Sequence, residues 1–217
     1  MKGLMIKDLK LMKAQKNFFL LILAVAVGMI LFSEDVTFGL GFLTFVVSLF
    51  TLSTISYDEF DNGNAFLFSL PITRQTYVFE KYSLSLLLGG GSWIFATLLV
   101  LAAGIFRGTY TVSEIMLIAL MILPVMILIQ AIMIPFQLKF GGEKGRLAII
   151  GVVGLLFILG ASAVKLAEAM NVDLFAVINH LPTLSTGMLL AIVIAAALAL
   201  LLVSVRISMG IMGKKEF

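Results

Sequence analysis

Six apolar runs, Phe18–Phe32, Phe38–Ile55, Tyr82–Phe106, Ile115–Leu138, Leu147–Val164 and Met188–Val205, decide what this chain can fold into. In hydrocarbon every backbone N–H and C=O needs a partner, and none of these runs alternates as a barrel strand would. Each is therefore expected to be a helix. A spanning helix takes about 20 apolar residues, so six of them use nearly all of the 217 residues. The expectation is an all-α, polytopic membrane protein of six transmembrane helices forming one domain, residues 1–217. The composition agrees, with 61% hydrophobic and only 12% charged residues, where a soluble domain carries about a quarter charged residues. The first run is the shortest, about 22 Å at 1.5 Å per residue. Its helix is expected to continue back into the lysine-rich lead. That lead and the acidic Ser33-Glu34-Asp35 behind the run argue against a cleaved signal peptide.

Lysine and arginine set the orientation. With the N-terminus in the cytosol, thirteen of the fifteen cations lie inside: five in the lead, then Arg74, Lys81, Lys139, Lys144, Arg146, Arg206, Lys214 and Lys215. Only Arg107 and Lys165 lie outside, and the inverted topology would reverse this balance. Both termini are thus expected in the cytosol. The isoelectric point near 9.2 reports this topology, not nucleic-acid binding. The lead, residues 1–16, carries Met5, Leu9 and Met12 on one helical stripe among lysines. It reads either as a positive-inside anchor or as a helix lying along the inner interface. On the outside, residues 165–187 hold Leu174, Phe175, Ile178 and Leu181 on one helical face before Pro182, which suggests short interfacial helices. His180, the lone histidine, reads as a hydrated polar residue.

Several chemistries are missing. No GxxxxGK[ST] occurs; the nearest cluster, Gly141-Gly142-Glu143-Lys144-Gly145, reads as a cytosolic turn. HExxH and GxSxG are absent too, and with no cysteine and one histidine there is no thiolate or histidine metal set. The span centres carry no charge, whereas ion-coupled transporters keep charged residues there as functional sites. If this chain moves anything uphill, the energy must come from a partner. What the spans do contain is small and weakly polar. Thr44, Ser48 and Thr51 form an i, i+4, i+7 stripe that either hydrogen-bonds between helices or lines a translocation path. Gly151 and Gly154 on the fifth run are small enough for close approach or for the same path. Gly187, Ala191, Ala195 and Ala199 form a small-residue ladder expected to pack closely against a neighbour.

The segment Ser56–Tyr82, SYDEFDNGNAFLFSLPITRQTYVFEKY, is the one substantial loop on the cytosolic side, and most connections are far shorter, about 2–8 residues. Phe66, Leu67, Phe68 and Leu70 sit inside a charged rim of the carboxylates Asp58, Glu59, Asp61 and Glu80 and the cations Arg74 and Lys81. An apolar patch in such a rim suits a protein partner, or else an amphipathic segment resting on lipid. Thr73 can cap the helix into the third span. Arg74 and Lys81, seven residues apart on one face, could clamp Asp58 or Glu59, or anchor on lipid phosphates.

The MKGLMIKDLKLMK lead, the six spans and the YDEF…SLPITRQTYVFEKY loop together resemble the permease subunits of bacterial type-2 ATP-binding-cassette exporters. Among these the chain resembles the permeases of Gram-positive peptide exporters such as the phenol-soluble-modulin exporter, and of bacteriocin-immunity systems. The resemblance implies a plasma-membrane permease that is not itself an enzyme. ATP and Mg²⁺ would belong to a separate cytosolic ATPase subunit, and this chain would bind no cofactor or metal. The partners implied are that ATPase, a second permease copy as homodimer or close heterodimer, the lipid bilayer and an amphipathic peptide substrate, with lipids or drugs as alternative cargo. Residues 56–81 would form the coupling loop, with Asp58, Glu59, Phe66, Leu67, Phe68, Leu70, Arg74 and Lys81 engaging the ATPase. Asn62-Gly63-Asn64 departs from good helix propensity and predicts a short coupling helix.

Overall fold

The structure is a computed structural model that describes residues 1–32, 36–60, 63–108, 110–169 and 185–215, with side chains placed except at 36, 105, 143–161, 163, 164 and 166–169. The described residues form helices α1 (Lys2–Ala14), α2 (Lys16–Phe32), α3 (Val36–Ser48), α4 (Phe50–Glu59), α5 (Gly63–Ser69), α6 (Arg74–Arg107), α7 (Val112–Ala169) and α8 (Thr186–Lys214). Thr37–Glu59, Arg74–Gly104, Val112–Gly142 and Thr186–Lys214 are long and apolar enough to cross a membrane, and the bent pair α1–α2 is a candidate fifth. The fifth apolar run lies in the second half of α7, where apart from Ser162 only the backbone path is described. Gly151 and Gly154 belong to that stretch. Most of the expected outer helices, with His180, fall outside the described residues.

The first-span helix does not run straight back through the lead. Gln15 adopts φ −95° and ψ 27°, its N–H shared between Leu11 and Met12 carbonyls, and the chain turns by 67° between α1 and α2. The Gln15 side chain fixes this elbow by donating to Tyr57 Oη at 2.8 Å. Of the Met5–Leu9–Met12 stripe of α1, Met5 and Met12 pack against Phe50, Leu84 and Leu88 and Leu9 does not, and the most buried positions lie elsewhere. Leu4 and Asp8 are buried, while Leu9 is exposed, because an ionic partner pulls Asp8 inward.

The loop expected over 56–81 is mostly helical. Helix α6 starts two turns before its apolar run because Thr73 caps it, the hydroxyl accepting from the Thr76 N–H at 3.1 Å. It ends at Gly108, whose φ of +64° would cost an L-residue about 1–2 kcal/mol. Helix α7 opens on a capping box: Thr111 N–H donates to Glu114 Oε2 at 2.8 Å, and Glu114 N–H to Thr111 Oγ1 at 3.3 Å. The expected turn at Gly141–Gly145 is a single break at Gly141, φ +77°, after which the helix resumes.

Helices α7 and α8 pack along each other, as do α3 with α6 and α6 with α7. Gly89 lets the last two meet, since a Cβ there would lie 2.5 Å from Met126 Sδ and 2.7 Å from Gln130 Nε2. Pro135 cannot bond the Ala131 carbonyl one turn back. Ser204 of α8 donates to that carbonyl instead, and its oxygen is shared with Tyr82 Oη of α6, which also meets Ser208 at 2.8 Å. Neighbouring side chains thus restore what the proline removes. The packing face of α8 is Ala197, Leu201, Ser204, Ser208 and Met212. Ala191, Ala195 and Ala199 of the small-residue ladder are exposed, so the ladder expected to pack within the chain is unpartnered there.

One end of the bundle gathers most of the polar structure. The end of α8 reaches it through Arg74, which donates to the Met212 and Gly213 carbonyls at 3.0 and 2.8 Å. Lys215 bridges Glu59 at 2.7 Å and the Leu138 carbonyl at 3.0 Å, tying α8 to α4 and α7.

Candidate functional site

At this polar end, Lys81 lies fully buried on α6 among three carboxylates. Its ammonium donates to Asp8 of α1, pairs with Asp58 of α4 at 2.8 Å, and donates to Thr54 Oγ1 at 3.1 Å. Those three partners use all three N–H groups of a lysine. Asp58 also accepts from Tyr77 Oη at 3.1 Å and pairs with Lys7. Lys7 in turn lies 3.1 Å from Asp8. Glu80 is buried beside them, its carboxylate accepting no hydrogen bond and lying 3.5 Å from Lys81 Nζ. Each ion taken out of water costs several kcal/mol unless closely paired, so the lead helix cannot leave the bundle cheaply: with Asp8 gone, Lys81 loses one of its two nearest carboxylates and keeps only Asp58 at close range. The lead is therefore a structural member of the bundle. Sequence reasoning missed Asp8, Lys7 and Glu80 in this role. The available signal was that Asp8 is the sole acid of the lysine-rich lead, four residues from Leu4 on a buried face.

The expected clamp is divided. Lys81 holds Asp58, whereas Glu59 pairs with Lys215. Asp58 and Lys81 are interior groups here, so they can reach a partner protein only through the helices they join.

Helix α5 carries the surface. It begins at Gly63 because a Cβ there would sit 2.8 Å from the Asp58 carbonyl. Gly63 thus serves a close return of the chain onto α4. Spacing then sorts the side chains. Phe66 and Leu70, at i and i+4, point outward with 72% and 44% exposure, while Leu67 is buried. Phe68 packs edge-on against Tyr77 at 5.5 Å and 71°. The outward apolar set expected from sequence is accordingly corrected: Leu67 and Phe68 are anchors into the core, and Phe60 and Tyr57, 72% and 52% exposed, join Phe66 and Leu70 at the surface.

Thr44, Ser48 and Thr51 are buried in the single chain. Thr44 and Ser48 donate to carbonyls of their own helix, Leu40 at 2.8 Å and Phe45 at 2.9 Å. Ser48 faces Gly89 of α6, and Ser92 donates weakly to the Thr44 carbonyl at 3.4 Å. In this conformation the stripe is a helix contact. Among the described residues no acidic or histidine cluster is arranged to hold a metal ion.

Residues 3–213 match the family described as ABC-2 family transporter protein. The chain belongs to this family. Neither a curated protein nor a solved structure shows a match to it. As an ABC-2 transporter it is a multi-pass plasma-membrane protein and the permease subunit of an ATP-binding-cassette exporter, a membrane transport component and not itself a catalyst. Membership implies an ATP-binding-cassette ATPase as partner. For the ABC-2 permease the ion cluster and α5 thus acquire a context: an exposed apolar helix rests through Leu67 and Phe68 on a core beside the buried ions that join α1, α4 and α6.

Proposed function

We propose that this permease is driven from its polar end, which faces the cytosol, by an ATPase docking on α5. The carrying observation is that Phe66 on α5 and Leu70 directly after it are exposed, while the other face of that short helix, Leu67 and Phe68, is built into the core. A push on the outer face is transmitted inward through Leu67, which shares a core cluster with Leu4, Tyr77, Met126 and Leu201. The Asp58–Lys81–Asp8 ions carry the same displacement to α6 and α1. The thirteen-to-two cation balance supports six spans with both termini in the cytosol. The exposed Ala191, Ala195 and Ala199 face supports pairing with a second permease copy. The cargo is an amphipathic peptide, moving along Thr44, Ser48, Thr51, Gly151 and Gly154 when α3 and α6 part. That surface has hydroxyls and bare backbone but no charge, so it cannot compensate a desolvated ion. Lipid or drug cargo is the alternative the same surface would accept.

Phe66→Ala with Leu70→Ala tests the docking. Truncating a buried aromatic anchor costs an interface about 2 kcal/mol or more. The double variant should insert normally yet lose the copurifying ATPase. An ATPase that still copurifies at the wild-type ratio would rule out this surface.

A further inference from the structure

A groove of about 600 Å³ runs along the flank of the bundle, between the α1–α2 elbow and the faces of α3 and α6. Its walls are apolar: Phe19, Leu20 and Leu23 of α2, Leu43 of α3, Leu87 and Phe95 of α6. The floor is opened by Gly91, where an added Cβ would meet nothing within 4 Å. Ser92 brings the one hydroxyl, already donated to the Gly89 carbonyl at 3.0 Å. Nothing inside the groove therefore asks for a polar ligand. Its mouth at the elbow differs. Lys13 and Lys16 line it, both exposed, and neither forms an ion pair with any described residue. The site thus asks for a long apolar body with one anionic end.

We propose that the groove holds an acyl chain of one anionic phospholipid of the surrounding bilayer, with its phosphate on Lys13 and Lys16. This goes beyond the ATPase-coupled reading and does not rest on it. Volume separates a lipid from a peptide: a helix 10–12 Å across fills roughly 400–600 Å³ per turn, so the groove would take little more than one turn. Charge decides between lipids, because a lysine near an anionic surface strengthens binding by roughly five-fold, and a zwitterionic headgroup gains less. The 67° elbow between α1 and α2 places both lysines where a helix along the interface meets one entering the bundle, the level of a headgroup.

The test is native mass spectrometry of the purified full chain in neutral detergent, titrated with phosphatidylglycerol or phosphatidylcholine. One phosphatidylglycerol should be retained per chain, at least ten-fold more tightly than phosphatidylcholine. Gly91→Leu should abolish retention while leaving helix content and melting midpoint intact, since its side chain enters open space. Lys13→Glu with Lys16→Glu, changes at exposed positions, should weaken phosphatidylglycerol binding ten-fold or more and spare phosphatidylcholine. The proposal is overturned by equal retention of the two lipids, or by undiminished retention in both variants. Competition by glycerol phosphate as effective as that by intact lipid would overturn it by placing the affinity in the headgroup alone. Displacement of lipid by an amphipathic peptide, or a lipid-free dimer occluding the groove, would assign it to another occupant.

Discussion

Lys81 directs all three N–H groups at partners inside the protein, while Lys7, at the edge of the same cluster, keeps 38% of its side chain in solvent. The two lysines therefore differ in what their removal leaves behind. Lys81→Met leaves two buried carboxylates with only the partly exposed Lys7 to pair them, and breaking a buried pair in this way costs about 3–5 kcal/mol. Lys7→Met removes a partly hydrated charge and should cost under about 1 kcal/mol. Melting midpoints in detergent check this: a large drop for Lys81→Met, a small one for Lys7→Met. Adding Asp8→Asn to Lys81→Met should recover part of the loss, because it removes a stranded charge. Equal drops for the two lysines would contradict the buried-cluster account. Nothing in the sequence pattern announces this cluster. Hydrophobic periodicity shows which face of α1 is apolar, but an acid on that face reads as an error until its cation, Lys81, is brought next to it by the fold.

At the scale of elements, much of the architecture was legible because bilayer helices leave a strong mark: long apolar runs, and a cap such as Thr73 at the start of α6. The breaks were less so. Gln15 and Gly141 interrupt helices through backbone geometry, φ −95° and +77°, which composition does not record, and glutamine is a good helix former. Helix α5 was legible as an apolar patch, while the split between outward Phe66 and inward Leu67 needed the position of α4 beneath it. The Gly89-Gly90-Gly91 run shows how context divides identical residues. Only Gly89 lies against Met126 and Gln130 of α7, whereas Cβ atoms at Gly90 and Gly91 would meet open space. Gly89→Val should push α6 and α7 apart and cost about 1–3 kcal/mol, as overpacking does. Gly90→Ala should be neutral or gain up to about 1 kcal/mol of helix propensity. Yield of monodisperse protein and melting midpoint distinguish the two, and similar losses at both positions would count against the packing shown here.

For the whole molecule, the polar end unites the lead helix, the α4–α5–α6 connection, the Gly141 break and the end of α8. A protein partner seated on α5 would act on all of these together, since Leu67 and the Asp58–Lys81 pair leave no slack between the surface helix and the spans. The permease in this account is a mechanical receiver, and its span centres supply no charge of their own. The most direct measurement is ATP hydrolysis by the permease reconstituted in liposomes with its ATPase, with amphipathic helical peptides or their scrambled versions added, for wild type and Phe66→Asp. Stimulation by the amphipathic peptides alone is expected in wild type, and none in Phe66→Asp, although that variant inserts normally. Stimulation that survives Phe66→Asp would contradict coupling through α5, and equal stimulation by scrambled peptides would contradict the proposed cargo.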